Sequence, residues 1–386
     1  MKTIAVVFGG RSTEHDVSIV TALASIIKPL ELSGQYQVEA MYITKDGTWY
    51  CDDKLKDISL FSSGAIKDWM LKAVPATVRF DGGMTLVKET SIGRKKLHKI
   101  DVVFPAMHGT YGEDGSLMGL LRMANMPFVG CDMESSVLSM DKVLAKLIAM
   151  AHGIPTSPME FARKTEYERN PKDFADTCEK KLKYPLFVKP AHLGSSIGIS
   201  RVTDRDQLDN ALEVAFHYDD KVLVEQEIGN LIEVTLPILG NDNLTPALLE
   251  RPTTKPEDFF DFDTKYMQGG KKGKGSSAKA SQGYSELPAK LVPTLYKKAE
   301  AVGLAVYRAL DCCGTARIDM LIDSKSNTVY FNEVNPLPGS LYAHNWNASG
   351  TSNVELVTKL IHLAEEHWQM LQQQNTVFST SYLQQF

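Results

Sequence analysis

The sequence predicts an α/β protein of two or three domains that opens on a doubly wound parallel sheet. Three observations lead there. The chain has 386 residues, enough for more than one hydrophobic core. Two unbroken apolar runs, Thr3 to Phe8 and Ile100 to Met107, each lead into a glycine-containing loop and then a helical pattern, as strands buried on both faces of a parallel sheet do. Near the C-terminus, Ala316 to Ile322 and Thr328 to Val334 flank a polar turn, Asp323 to Asn327, which reads as an antiparallel hairpin.

Composition narrows the class. Hydrophobic residues make up 43% and charged residues 23% of the chain, as in a soluble globular protein. A net charge of −5 gives no basic surface for a nucleic-acid partner. No apolar stretch is long enough to span a membrane, and the run Ile4 to Phe8 is too short for a secretory signal. Five scattered cysteines form neither a CxxC pair nor a zinc spacing, which fits a reducing, cytoplasmic setting.

The elements follow in order. After Thr3 to Phe8 come Gly9, Gly10 and a polar loop carrying Glu14, then a helix from Val17 to Leu32. A loop leaving the carboxyl end of such a strand faces the ligand crevice. Glu14 reads equally as a ligand-facing carboxylate or as an acid favoured near a helix N-terminus. Val38 to Cys51 reads as two strands about Lys45-Asp46-Gly47, and Thr77 to Lys88 as another hairpin; Asp52 to Leu71 has no clear pattern. The strand Ile100 to Met107 leads into His108-Gly109-Thr110-Tyr111-Gly112-Glu113-Asp114-Gly115 and the helix Ser116 to Met123. His108 thus stands at a strand's carboxyl end, either facing a ligand or serving the fold. A domain boundary is expected near Asp132 to Ser136, and a helix from Val137 to His152 carries Asp141 and Lys142 and stops at Gly153-Ile154-Pro155.

Strands at Phe161 to Lys164 and Pro185 to Lys189 bracket a charged helix, Pro171 to Leu182. Lys189 precedes the small-residue loop Pro190 to Gly198 and a strand, Ile199 to Val202. This is no Walker A loop, because no helix opens with GK[ST]. Small residues do let backbone N–H groups approach phosphate oxygens, with Lys189 beside them; the other reading is a plain hairpin turn. A helix, Asp206 to His217, and a strand, Lys221 to Glu227, follow, with Glu225 and Glu227 placed where a strand joining two domains can meet adenine and ribose. A third domain starts at Glu233 to Leu239. Asp258 to Gly283 loses regular pattern and is rich in Gly and Lys; it reads as a lid closing over a polyphosphate or as a linker. A helix, Ala289 to Ala309, leads into the C-terminal hairpin, and Asn353 to Gln372 closes the fold.

On that hairpin, residues two apart share a face, which pairs Arg317 with Asp319 and Glu333 with Asn335. If the two faces lie side by side they present two carboxylates, an amide oxygen and a guanidinium. Hard oxygen donors without His or Cys suit Mg²⁺ that is also held by phosphates; the alternative is a strand pair with solvated charges.

Seven segments, GGRSTEHDVS, HGTYGEDGSLMGLL, SMDKVLAK, KPAHLGSSIGIS, DFDTKYMQGG, ARIDMLID and NEVNPLPGS, stand in this order over nearly the whole chain. Together they resemble the D-alanine–D-alanine ligases of the ATP-grasp superfamily. The resemblance implies a three-domain ATP-grasp fold: an N-terminal substrate-binding domain over 1–134, a central domain over 135–226 and a C-terminal domain over 227–386. It implies ATP and two Mg²⁺ (or Mn²⁺) ions per site, and a product, D-alanyl-D-alanine, formed through a D-alanyl phosphate for peptidoglycan precursors. By position, Glu14 matches the carboxylate facing the first D-alanine's ammonium group, with Ser195 and Tyr266 as its hydrogen-bonded partners, and His108 the histidine near that substrate's carboxylate. Lys142, Lys189 and Lys265 match phosphate-binding lysines, with Ser196 and Gln226 in the same ATP set. Glu225 and Ile228 match the adenine hinge and Glu233 the ribose carboxylate. Asp319, Glu333 and Asn335 match the metal ligands, and Arg317 with the Gly339 N–H the oxyanion-stabilising pair. Ser340 or His344 is expected on the second substrate's carboxylate. Many ligases have a serine where His344 stands, and the lid is longer than in shorter members, which leaves D-serine or D-lactate open as acceptors. Small-molecule substrates and a cytoplasmic homodimer are expected, with no nucleic-acid or membrane partner.

Overall fold

The structure is a computed structural model that describes residues 1–90, 93–252 and 285–386. The expected lid, Asp258 to Gly283, lies outside the described residues, and Lys265 and Tyr266 with it.

The first sheet is built on β1 (Lys2–Gly9), with β2 (Tyr36–Ile43) parallel on one side and β3 (Trp49–Cys51) antiparallel beyond it. On its other side β1 pairs in parallel with a strand at Val102–Pro105, setting Ile4 opposite Val102. Ile4, Val6 and Phe8 enter one hydrophobic core and Ala5 and Val7 another. Burial on both faces is why the run is unbroken rather than alternating. The helix after β1 runs as α1 (His15–Val20), a π-helical stretch (Thr21–Ile27) and α2 (Lys28–Ser33).

Two short helices, α3 (Ile58–Ser62) and α4 (Ile66–Met70), fill the segment without sequence pattern. The expected hairpin, β4 (Ala76–Phe80) and β5 (Met84–Thr90), gains a third strand, β6 (Gly93–Ile100), before β7 (Val102–Pro105). The loop after β7 leads to α5 (Ser116–Met123).

The single helix expected from Val137 to His152 is two: α6 (Met133–Met140) and α7 (Lys142–Ala151). Asp141 leaves the helical region at φ −89°, ψ 98° and caps α7, accepting from the N–H groups of Val143 and Leu144. An acidic N-cap satisfies N–H groups that a helix start leaves unpaired, and Lys221 holds its other oxygen.

The central sheet, in order β10-β9-β11-β8, contains β8 (Met159–Arg163), β9 (Leu186–Pro190), β10 (Ser200–Val202) and β11 (Lys221–Gln226), all antiparallel. Its helices are α8 (Lys164–Arg169), unanticipated from sequence, α9 (Pro171–Lys181) and α10 (Arg205–Tyr218). The third sheet joins β12 (Leu231–Leu239) and β13 (Thr245–Pro246) to the C-terminal hairpin; β14 (Arg251–Pro252) and β15 (Ser285–Glu286) pair apart from it. Helix α11 starts at Pro293, not Ala289, and runs to Ala309; proline suits the first helical turn because its missing N–H is not needed there.

The hairpin itself is β16 (Thr315–Asp323) and β17 (Thr328–Asn335). Its register sets Arg317 opposite Asn335 and Asp319 opposite Glu333, then shifts so that Met320 meets Phe331. That bulge, with Asn332 as the extra residue, lies beside the charged pair, a place where bulges commonly re-aim side chains. A short helix, α12 (Ala343–Ala348), and the long α13 (Asn353–Gln372) follow, with a 3-10 helix at Tyr382–Gln385 after them. Leu356, Val357, Leu360 and Ile361 of α13 enter the same core as Ile4, Val6 and Phe8, so the last long helix covers the first sheet.

Candidate active site

Three loops and the hairpin meet along one line. Glu14 stands just before α1, and the Ser195 hydroxyl donates to its Oε1. The two glycine loops pass close to this carboxylate. A Cβ on Gly109 would fall 2.8 Å from Glu14 Oε2, and one on Gly194 3.3 Å from the same atom. Burial, then the Glu113 carboxylate, raise the Glu14 pKa; the Ser195 bond acts against them. A cationic amine would relieve both. Ser195 and Ser196 hold left-handed backbones, φ 53° and 60°, a strained conformation for non-glycine residues that clusters at functional sites.

His108 is buried, with Nε2 2.9 Å from Thr21 Oγ1 and Nδ1 3.8 Å from Glu113 Oε2. Burial acts against its charge, but Glu113 outweighs it and the histidine's pKa is raised. Thr21 Oγ1 also accepts the Ser340 N–H at 3.0 Å, and Glu113 Oε1 the Leu337 N–H at 3.3 Å. These bonds tie the loop after β7 and the π-helical turn to the segment after β17. Glu113 and Thr21 were not among the expected site residues. Glu113 sits in the quoted HGTYGEDG segment; Thr21 gives no sequence signal, since it lies on an ordinary helical face.

Lys142 opens α7. Its Nζ donates to the Leu193 carbonyl at 2.7 Å and lies 3.5 Å from Glu333 Oε2. It therefore links the loop bearing Ser195 to the hairpin. There Arg317 grips Asp319 through Nε at 2.8 Å and a second guanidinium nitrogen at 2.6 Å, and Asn335 Nδ2 donates to Asp319 Oδ2 at 3.0 Å. The Arg317 guanidinium also lies over the Tyr342 ring, 5.0 Å from its centroid. The side-by-side faces read from sequence are thus formed.

Lys189 points from β9 to Glu225 Oε2 at 2.6 Å, while Lys146 approaches Glu225 Oε1 at 2.7 Å and Ser157 donates to it. The Glu225 side chain is therefore the buried centre of an ion triad. Burial opposes its charge, but the two ammonium groups hold it well below the usual carboxylate range. Lys146 was not anticipated; its spacing of four from Lys142 on α7, which puts both on one helix face, was the available signal. Gln226 ends β11 and accepts the Lys183 N–H at 3.0 Å. Ile228 is buried just beyond, and Glu233 lies on β12 opposite Leu321.

Gly339 opens a tight turn in which Ser340, Leu341 and Tyr342 all have φ between 50° and 53°. Ser340 is exposed and held through its backbone N–H. His344 has a partner that the sequence does not show. Its Nε2 lies 2.8 Å from Glu250 Oε2, and Asn345 donates to the same oxygen at 3.2 Å, so that ring nitrogen is engaged by a protein carboxylate.

Residues 3–131 match the family model for the D-ala D-ala ligase N-terminus, and residues 148–362 that for the D-ala D-ala ligase C-terminus. The chain belongs to the D-alanine–D-alanine ligase family. The D-alanine--D-alanine ligase of Thermosipho africanus is 36% identical over 369 residues, covering 95% of this chain and 94% of that one. Among solved structures, the D-alanine-D-alanine ligase from Coxiella burnetii superposes with a TM-score of 0.78 at 28% identity, covering 96% of both chains. The VanG D-Ala:D-Ser ligase from Enterococcus faecalis gives 0.77 at 32% identity, covering 94% of this chain and 99% of that one. The ligase fold expected from the seven segments is the fold found, with ATP-grasp structures as its neighbours.

Proposed function

We propose that this ligase joins two D-alanines through a D-alanyl phosphate, with ATP as phosphoryl donor, and that the continuous line from Glu14 through Ser195, Lys142 and Glu333 to Asp319 and Arg317 is its reaction path. The carrying observation is that line: Ser195 on Glu14, Lys142 bridging Leu193 O and Glu333, and Arg317 on Asp319. Glu14, in its desolvated pocket, receives the first substrate's ammonium group. His108, whose charged form Glu113 favours, faces that substrate's carboxylate. Lys142 and Lys189 neutralise transferring phosphate charge, the main demand of phosphoryl transfer. Lys265 and Tyr266 complete this set from the lid. Glu225, Gln226, Ile228 and Glu233 border the nucleotide's base and ribose, and Ser196 lends backbone donors to its phosphates.

Asp319, Glu333 and Asn335 fit a hard divalent cation, since they offer only oxygen donors and the Asn335 bond through Nδ2 leaves its Oδ1 as an acceptor. Bound there, Mg²⁺ or Mn²⁺ supplies charge neutralisation on the phosphoryl oxygens. Arg317, held in place by Asp319 and Tyr342, and the Gly339 N–H stabilise the tetrahedral oxyanion when the second amine attacks. Ser340 lies next to that point. The segment 1–134 carries the first-substrate residues, 135–226 and 227–386 the nucleotide grip. Cytoplasmic peptidoglycan precursor synthesis and a homodimer complete the reading.

The test is mass analysis of products after incubation with ATP, Mg²⁺ and D-alanine, with D-serine and D-lactate competing at several pH values. D-Alanyl-D-alanine with stoichiometric ADP is expected. A neighbour of similar fold is named a D-Ala:D-Ser ligase, so dominant D-serine incorporation would move the acceptor assignment and leave the ATP chemistry standing.

A further inference from the structure

The loop that carries Ser195 and Ser196 is anchored by a residue outside the site described so far. His192 sits at its entry, between Ala191 and Leu193. Its backbone N–H donates to Asp219 Oδ2 at 2.7 Å, its Nδ1 lies 2.8 Å from Asp219 Oδ1, and its Nε2 lies 3.3 Å from Asp141 Oδ2. Asp141 is the N-cap of α7, the helix that opens with Lys142. On either side of His192, the Lys142 N–H donates to Ala191 O at 3.0 Å and the Lys142 ammonium to Leu193 O at 2.7 Å. The imidazole therefore lies between the turn after α10 and the start of α7, with the loop hanging from it.

A neutral imidazole has one N–H and one bare lone pair. Here each ring nitrogen faces a carboxylate oxygen, so the neutral ring would set a lone pair against an anion on one side. Only the doubly protonated ring donates to both. The groups around it act in the same sense: Asp141 from the junction of α6 and α7, Asp219 and the more distant Asp220 (3.9 Å) from the turn before β11. Lys221 on β11 is paired to Asp141 and opposes them weakly. The two hydrogen bonds lift the His192 pKa to about 9.

We propose that His192, as an imidazolium cation, is a positioning residue for nucleotide binding: it fixes the glycine-rich loop to α7 and so sets the distance between the loop's backbone donors and Lys142. This rests on the reading of that loop as a phosphate grip. Loss of the proton releases one end of the clamp, and the loop loses its fixed spacing from Lys142. The effect is read on ATP, whose own ionisation is complete well below this range.

The experiment measures the KM for ATP and for D-alanine from pH 7.5 to 9.5 in the full-length wild type, His192→Arg and His192→Asn. A group with a pKa of about 9 is about three-quarters deprotonated at pH 9.5, so the wild-type KM for ATP should rise about fourfold. His192→Arg, a permanent cation, should keep a low KM at pH 7.5 and remove the rise. His192→Asn should have the raised KM already at pH 7.5 and no further pH dependence. A wild-type KM for ATP that stays flat, or a rise that persists in His192→Arg, overturns the inference. If His192→Asn does not fold, the comparison of wild type with His192→Arg still decides. If the wild type does not bind ATP at all, the phosphate-grip reading fails instead.

Discussion

Replacing Glu225 by glutamine tests how the nucleotide-side lysines are held. The side chains of Lys146 and Glu225 are 1% and 3% exposed, and that of Lys189 is 13% exposed. This is a buried triad, so the small energies of surface ion pairs do not apply. The amide keeps the shape and can still accept from Ser157, but two buried ammonium groups lose their anion. Breaking a buried pair by removing one partner costs about 3–5 kcal/mol, and burial already lowers the Lys146 pKa. We expect a loss of that size in equilibrium urea unfolding at pH 7.5, with an unchanged m-value. The additional change Lys146→Met should restore part of it, because one stranded charge is then gone. The folded pKa of Glu225 is depressed, so its contribution is complete above the unfolded value of about 4.3 and fades as pH falls towards the folded one. The gap between wild type and Glu225→Gln should therefore hold from pH 7.5 to 5 and narrow only below about pH 4. A loss under about 1 kcal/mol at pH 7.5, or a gap that closes by pH 5.5, would refute the reasoning.

Three further outcomes are expected. Glu333→Gln should fold normally and lower turnover by about a hundredfold or more, as lost charge neutralisation at a phosphoryl site implies; near-normal kcat in a Mg²⁺ titration would remove Glu333 from the ligand set. Thr21→Val should strand the Ser340 N–H and free one side of His108, lowering stability by about 1–2 kcal/mol and turnover by about tenfold, read by thermal unfolding and steady-state rates; unchanged kcat would detach Thr21 from catalysis. Gly109→Ala places a Cβ 2.8 Å from Glu14 Oε2 at φ +68°, a backbone that costs an L-residue about 1–2 kcal/mol; it should raise the KM for D-alanine and leave that for ATP unchanged, and equal rises in both would argue for a general loss of structure.

The local chemistry was legible where it follows the chain. β1 and β7 were visible because burial on both faces removes alternation, and the hairpin with Arg317, Asp319, Glu333 and Asn335 because period two puts each pair on one face. What sequence hid was contact at a distance. The break between α6 and α7 follows from Asp141 meeting Lys221 and from Lys142 N–H meeting Ala191 O, partners no local pattern reveals. The apolar periodicity runs on through Asp141 and suggests one helix. Strand β6 is rich in lysine and lacks a strand-like apolar pattern. Lys146 is buried by distant partners, Glu225 of the central sheet and Phe331 of the C-terminal hairpin. Glu250, 94 residues before His344, meets its Nε2, again a partner that no local pattern reveals.

The docking of α13 onto the first sheet bears on how the protein is made. Translation delivers β1 first and α13 roughly in the last tenth of the chain. Until then one face of the opening sheet, with Ile4, Val6 and Phe8, has no Leu356, Leu360 or Ile361 against it. The nascent first domain therefore leaves the ribosome with an adhesive apolar face, the kind of surface that chaperones cover. The Lys2–Glu365 ion pair at 2.5 Å joins β1 to α13. A chain stopped at Gly350 should bind a hydrophobic dye that the full chain does not; equal dye binding by both would show that the first domain buries that face without its final helix.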